Sequence, residues 1–157
     1  MRKRIIAPVQ QETASPDREW LNVEGLAEVE ITSEDGAHPI ESALLPGRAP
    51  GWRAAAPGKQ TIRLRFAHPQ PLQRIWLNFE EPLTERTQEY VLSWSPDGGQ
   101  SFREIVRQQW NFSPPGATSE TEDHHVELPA VTVLELSIIP DTGGGNAFAS
   151  LAQLRLA

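Results

Sequence analysis

The stretch Tyr90–Phe112 reads YVLSWSPDGGQSFREIVRQQWNF, and two alternating apolar runs flank its turn, Ser95-Pro96-Asp97-Gly98-Gly99-Gln100. Successive side chains of an extended chain point to opposite faces, so Tyr90, Leu92 and Trp94 share one side. Proline presets a turn φ, aspartate bonds nearby backbone, and glycine reaches positive φ without steric cost. The spacing predicts a β-hairpin with Asp97 bonded to the turn and Phe102 packed inward.

Working outward, the period stays near two. Ile62, Leu64 and Phe66 alternate with Thr61, Arg63 and Arg65. Ile75, Leu77 and Phe79 repeat the pattern, as do Leu134, Leu136 and Ile138 opposite Glu135 and Ser137. Val29 and Ile31 suggest an early strand, and a closing strand over 151–156 would turn Ala152, Leu154 and Leu156 inward. Breakers such as Pro46-Gly47, Pro57-Gly58, Pro114-Pro115-Gly116 and Gly143-Gly144-Gly145 separate the runs. No long 3.6-residue stripe develops. About seven to nine short strands with this punctuation predict an all-β fold, an antiparallel sandwich. No internal repeat supports a propeller.

The chain has 157 residues, a net charge of −7 and no cysteine. That length suits one domain with its own core: residues 17–157 are expected to form a single β-sandwich, preceded by a loosely ordered arm over 1–16. Ser15-Pro16-Asp17 would cap one helical turn running to Trp20. The negative balance argues against nucleic acid, which demands a cationic footprint. Without cysteine there are no disulfides, thiolate metal sites or cysteine nucleophiles, which suits a reducing compartment. Met1-Arg2-Lys3-Arg4 resembles the start of a secretory signal, but only Ile5 and Ile6 follow before Ala7-Pro8. A cytoplasmic, soluble protein is therefore expected, with the basic tetrad a solvated terminus. No segment reaches the length of a membrane span.

Gly51-Trp52-Arg53-Ala54, the strand TIRLRF at 61–66 and PLQRIWLNF at 71–79 resemble the first half of a discoidin (coagulation factor 5/8 type C) domain. YVLSWSPDGGQSFREI is similar to that family's hairpin, LELSIIPDTGGG to its penultimate strand and loop, and FASLAQLRLA to its closing strand. The resemblance spans residues 20–157. It implies a galactose-binding-like jelly roll with ligand loops at one rim, in a family whose members bind sugars, phospholipid headgroups or proteins and rarely catalyse. Two positions depart from the family's calcium site. The loop Leu44–Pro50 carries no carboxylate, and Gln153 stands where a glutamate is expected. Calcium prefers several oxygens including carboxylates, so the family's ion is expected to be lost and no cofactor is anticipated.

The turn Ser95–Phe102 is also similar to the Asp-box of sialidase propellers, but a single copy is a folding device. Sugar sites combine an aromatic face with planar polar groups. Trp110, Asn111 and Phe112 fit, since they leave the hairpin strand and enter a loop over 113–123. Asn146 and Phe148 fit after the triple glycine, and Trp52 with Arg48 and Arg53 forms a third cluster. Trp52, Trp76 and Trp94 also suit core packing.

Glu120-Thr121-Glu122-Asp123-His124-His125 has the chemistry of a metal cluster. Adjacent histidines in a strand would face opposite sides, however, so the segment is taken as a solvated acidic loop and no metal site is assigned. His38 and His68 precede prolines and look like turn residues. No G-x-S-x-G, H-E-x-x-H or phosphate-cradling loop is present, and nothing marks one acid as buried beside another. An enzyme is not expected. The sequence reading is a non-catalytic module recognising carbohydrate or a related polar ligand at the rim. The alternative is a protein–protein interaction module of a cytoplasmic complex, including a homo-oligomer.

Overall fold

A computed structural model describes residues 20–157. The basic tetrad, the arm over 1–16 and the cap at Ser15-Pro16-Asp17 lie outside the described residues. Eight strands dominate: β1 (Ala27–Ile31), β2 (Trp52–Arg53), β3 (Gln60–Glu80), β4 (Arg86–Ser95), β5 (Arg103–Phe112), β6 (Ser119–Ile139), β7 (Ser150–Leu151) and β8 (Gln153–Leu156). Two single-turn helices, α1 (Val23–Leu26) and α2 (Glu41–Leu44), flank β1.

All pairings are antiparallel, in the order β1-β3-β6-β4-β5, with β8 also on β3 and a separate β2–β7 pair. Two of the strands are not short: β3 and β6 each run for 21 residues. Register shifts between Arg65 and Arg74 divide their pairing into two halves, and such bulges bend a strand pair. Residues 62–66 of β3 pair with β1 and residues 60–65 with 133–138 of β6, while residues 75–78 pair with β8 and with 121–124. One half of each long strand thus serves each layer of a sandwich.

The layers meet across one core. Ile62, Leu64, Leu92, Leu136 and Ile138 come from the first layer, and Ile75, Leu77, Phe79, Leu154 and Leu156 from the second. Phe79 and Tyr90 lie 5.2 Å apart across the interface. Each such side chain contributes about 1.5–3 kcal/mol on leaving water. The alternating polar residues face out, where Arg63 pairs with Glu135 at 2.6 Å and Arg65 with Glu30 at 2.7 Å.

The hairpin forms as its turn residues dictate. Gly98 and Gly99 take φ of 76° and 96°. Asp97 accepts hydrogen bonds from Ser95 Oγ (2.6 Å), Ser101 N (2.9 Å) and Ser101 Oγ (2.6 Å). Three expectations are corrected. Phe102 does not pack inward; it stays 38% exposed, with the Arg63 guanidinium 5.8 Å from its ring centre. At the chain's end Leu151 is the fully buried residue and Ala152 only half-buried, because Ala152 breaks the strand to donate its amide to Asn78 O at 2.9 Å. The acidic segment from Glu120 to His125 is strand β6 and not a loop; the connection before it is only residues 113–118.

Candidate ligand groove

At one end of the sandwich the segments 38, 50–53, 80–84 and 141–152 surround a groove of about 660 Å³. Local pairing holds its floor. Trp52 and Arg53 pair with Leu151 and Ser150, Arg53 N donates to His38 O at 3.2 Å, and Ala54 N donates to Ala149 O at 2.9 Å. Gly51 makes this approach possible: at φ +106° its missing Cβ would stand 2.7 Å from Leu151 O.

Alternation along β2 turns Trp52 into the core and Arg53 outward. The Arg53 guanidinium lies 5.0 Å from the centre of the Phe148 ring, a cation–π contact worth about 0.5–1 kcal/mol at an exposed site. Arg53 lines the groove. His38 Nδ1 is fixed on Asp35 at 2.6 Å, and this bond holds the Asp35 carboxyl below its ordinary range, with the Arg53 charge also contributing. Asn146 is exposed beside Phe148 on the same groove wall.

The opposite wall is Glu80, Glu81, Pro82, Leu83 and Thr84. Leu83 is 86% exposed. Its position depends on Glu81, whose Oε2 accepts the amides of Leu83 and Thr84, both at 3.1 Å. Glu81 Oε1 accepts from Arg86 Nε at 2.7 Å. Burial pushes the Glu81 carboxyl up, but the Arg86 bond and the two amides outweigh it, and the group is held below its usual value.

Arg86 leads into the interior. Its Nη1 donates to Pro140 O at 2.8 Å and to Gln88 Oε1 at 3.2 Å, and Gln88 Nε2 donates to Glu120 Oε1 at 3.2 Å. Glu120 is buried with Glu122 beside it; burial first, then the neighbouring carboxyl, pushes Glu120 up to about 8. Next along β6, His124 Nε2 meets Tyr90 OH at 2.7 Å. Burial lowers His124, keeping it neutral, and raises Tyr90. The sequence reading found no acid buried beside another; Glu120 and Glu122 are such a pair.

The structure places the sequence candidates in different regions. Asn146, Phe148 and the buried Trp52 line the groove. Trp52 is 1% exposed and donates Nε1 to Ser33 O at 3.0 Å, so it supports the rim from beneath. Arg48 lines a second depression, of about 520 Å³, with Val29, Ile40 and Leu45. Trp110 is half-buried on the core-facing side of β5 opposite Gln88, and Asn111 accepts from Thr87 Oγ1 at 2.8 Å. Phe112 is fully buried with the Arg86 guanidinium 4.8 Å from its ring centre. His38, Glu81 and Leu83 joined the groove without having been singled out for it. His125 is exposed, on the face opposite His124.

Where the sequence resemblance would place a calcium-binding glutamate, the chain carries Gln153. Gln153 offers one neutral amide oxygen, and among the described residues no three carboxylates or imidazoles converge. No protein-family model and no curated protein matches the sequence. Solved structures do match. A family 32 carbohydrate-binding module of Clostridium perfringens NanJ, solved with galactose, superposes with a TM-score of 0.64 at 16% identity, covering 87% of this chain and 96% of its own. The chain has the galactose-binding-like, discoidin-type β-sandwich fold. The module CpGH89CBM32-5 of Clostridium perfringens, solved with GalNAc-β-1,3-galactose, gives 0.62 at 21% identity, with 88% and 99% covered. The same sandwich also occurs inside larger enzyme chains. Truncated AlyQ, which carries an alginate lyase domain beside its module, matches at 0.61 and 14% identity over 83% of this chain and 31% of its own.

Proposed function

We propose that this sandwich is a non-catalytic binding module that recognises a carbohydrate, or a related polyhydroxylated ligand, in the rim groove. The observation that carries this reading is the Arg53–Phe148 stack at 5.0 Å, with Asn146 and His38 lining the same groove. Phe148 supplies an apolar face for sugar C–H groups, while Arg53, Asn146 and the free Nε2 of His38 supply hydrogen bonds to hydroxyls. The carboxylates of the groove are already engaged: Glu81 by Arg86, Asp141 by the Gly143 amide at 3.0 Å, and Glu80 by Ser119 Oγ at 3.0 Å. Galactose-terminated and N-acetylgalactosamine-terminated glycans are the first probes, since neighbouring folds were solved with them.

A glycan array run with and without calcium tests the reading. Binding should be unaffected by calcium removal, and Phe148→Ala should weaken it about tenfold or more, near 1.4 kcal/mol. Trp110→Ala should leave it unchanged. Binding to no sugar, together with a stable oligomer by light scattering, would favour a protein-interaction module.

A further inference from the structure

The wall of the groove that carries Leu83 is the visible end of a polar chain running into the sandwich. Glu81 holds the Leu83 and Thr84 amides, Arg86 holds Glu81, Gln88 links Arg86 to Glu120, and Glu120 stands against Glu122. The Arg86 side chain is 1% exposed. Two buried atoms of this network have no hydrogen-bond partner among the described residues: Arg86 Nη2, a donor, and Glu120 Oε2, an acceptor. Buried polar atoms of a native fold are nearly always satisfied. A proton held by Glu120 and directed to the neighbouring Glu122 satisfies the second of them, while the first remains a donor in reserve.

We infer that Glu120, Glu122, Gln88 and Arg86 form a proton-sensitive support for Glu81, which positions the Pro82–Thr84 wall and so regulates the ligand affinity of the groove. This rests on the groove being the binding site. While Glu120 keeps its proton, Arg86 is committed to Glu81 and Pro140 O. Loss of that proton leaves Glu120 charged at a buried position beside another carboxyl, which is strongly unfavourable. The guanidinium with a spare N–H is then drawn towards Glu120. Each step it takes that way weakens the bond to Glu81 that fixes Leu83 and Thr84.

The groups that face Glu120 are few. β6 itself presents Glu122 and His124. β4 presents Arg86, Gln88 and Tyr90, the turn after β3 presents Glu81, and β3 offers the apolar Phe79 opposite Glu120. β5 contributes Gln108, Trp110 and Phe112, none of them charged. His124 stays neutral and Tyr90 stays protonated through the window concerned, because burial moves both away from it. Arg86 and Glu120 touch no ligand in this arrangement; they are positioning residues.

The test follows the Leu83 and Thr84 amide resonances of the full chain by NMR from about pH 7 to about pH 9.5, alongside titration with galactose at each end of that range. Both amides should shift through an inflection near pH 8, the value to which Glu120 is raised, and Glu120→Gln should abolish it. Galactose affinity should fall about fivefold over the same range in the parent and stay level in the variant, a coupling at the low end of ordinary allosteric values. Arg86→Lys, which keeps the charge but not the fork, should displace both amides at every pH and serves if Glu120→Gln fails to fold. Static amides in the parent would overturn the inference. So would an identical inflection in Glu120→Gln, or amides that move while bound galactose is held equally at both ends. Moving amides with no sugar bound at any pH would leave the support intact and overturn the carbohydrate reading instead.

Discussion

Asp97 at the hairpin tip and Glu120 inside the sandwich are both carboxylates on β-structure, yet their environments drive them in opposite directions. Asp97 is exposed and accepts hydrogen bonds from Ser101 and Ser95, which lower it to about 2. Glu120 has one donor, Gln88 Nε2, while burial and Glu122 raise it to about 8. The difference lies in the supply of donors and water. A carboxylate ringed by hydroxyl and amide donors keeps its charge, and one enclosed with another carboxylate keeps its proton. The tip holds a turn together; the interior holds a charge balance that reaches the rim.

Cutting the interior network should show the largest effect. Arg86→Ala leaves Glu81 and Gln88 without their central partner, and should cost about 3–5 kcal/mol, as removal of one member of a buried pair usually does. Urea unfolding at neutral pH measures it. A loss comparable to a surface pair, under about 1 kcal/mol, would show the network to be far wetter than the structure has it.

Glu120→Gln sharpens the contrast through pH. The folded state retains a proton on Glu120 that the unfolded chain releases near 4.5. Parent stability should therefore decline as pH rises from about 4.5 to about 8 and level off above it. The glutamine variant should lose that decline and exceed the parent at the alkaline end, read from denaturation midpoints across the range. Tyr90→Phe should have a moderate effect: it strips His124 Nε2 of its partner, at about 1–3 kcal/mol, and leaves Phe79 packing intact.

Asp97→Asn is the mildest and runs the other way. The native carboxyl is lowered from 3.8 to about 2, so its contribution is present above 3.8 and fades as pH falls through about 2. The variant should be slightly less stable at neutral pH and indistinguishable from the parent near pH 2. Equal acid sensitivity in both proteins would show that the tip carboxylate is not held by Ser95 and Ser101.

The same two sites explain how much could be read from sequence. All the partners of Asp97 lie within four residues, so the turn was legible from local chemistry. The inward faces of Ile62–Phe66, Ile75–Phe79 and Leu134–Ile138 were legible from the period. Glu120 meets Gln88 across 32 residues and His124 meets Tyr90 across 34; locally, Thr121-Glu122-Asp123-His124 resembles a solvated loop. A signal existed in the alternation of Glu120, Glu122 and His124, the period of the neighbouring strands, but polar residues on an inward face contradict the usual pattern. At the rim, Asn146 and Phe148 came forward from the glycine-rich loop. His38 and Glu81 did not, because only tertiary pairing brings them to the groove. Phe102 lies outward beside the Arg63 guanidinium, a neighbour 39 positions away in sequence on the same layer, which local chemistry does not reveal.

The two 21-residue strands carry a mechanical consequence. A sandwich built from separate sheets has a natural tear line between them, along which one half can slide or peel while the other survives. Here the same pair of chains is woven through both faces. Prising one face loose drags the register of the other, so there is no seam along which the domain can delaminate, and heat or force should take the described residues apart in a single step.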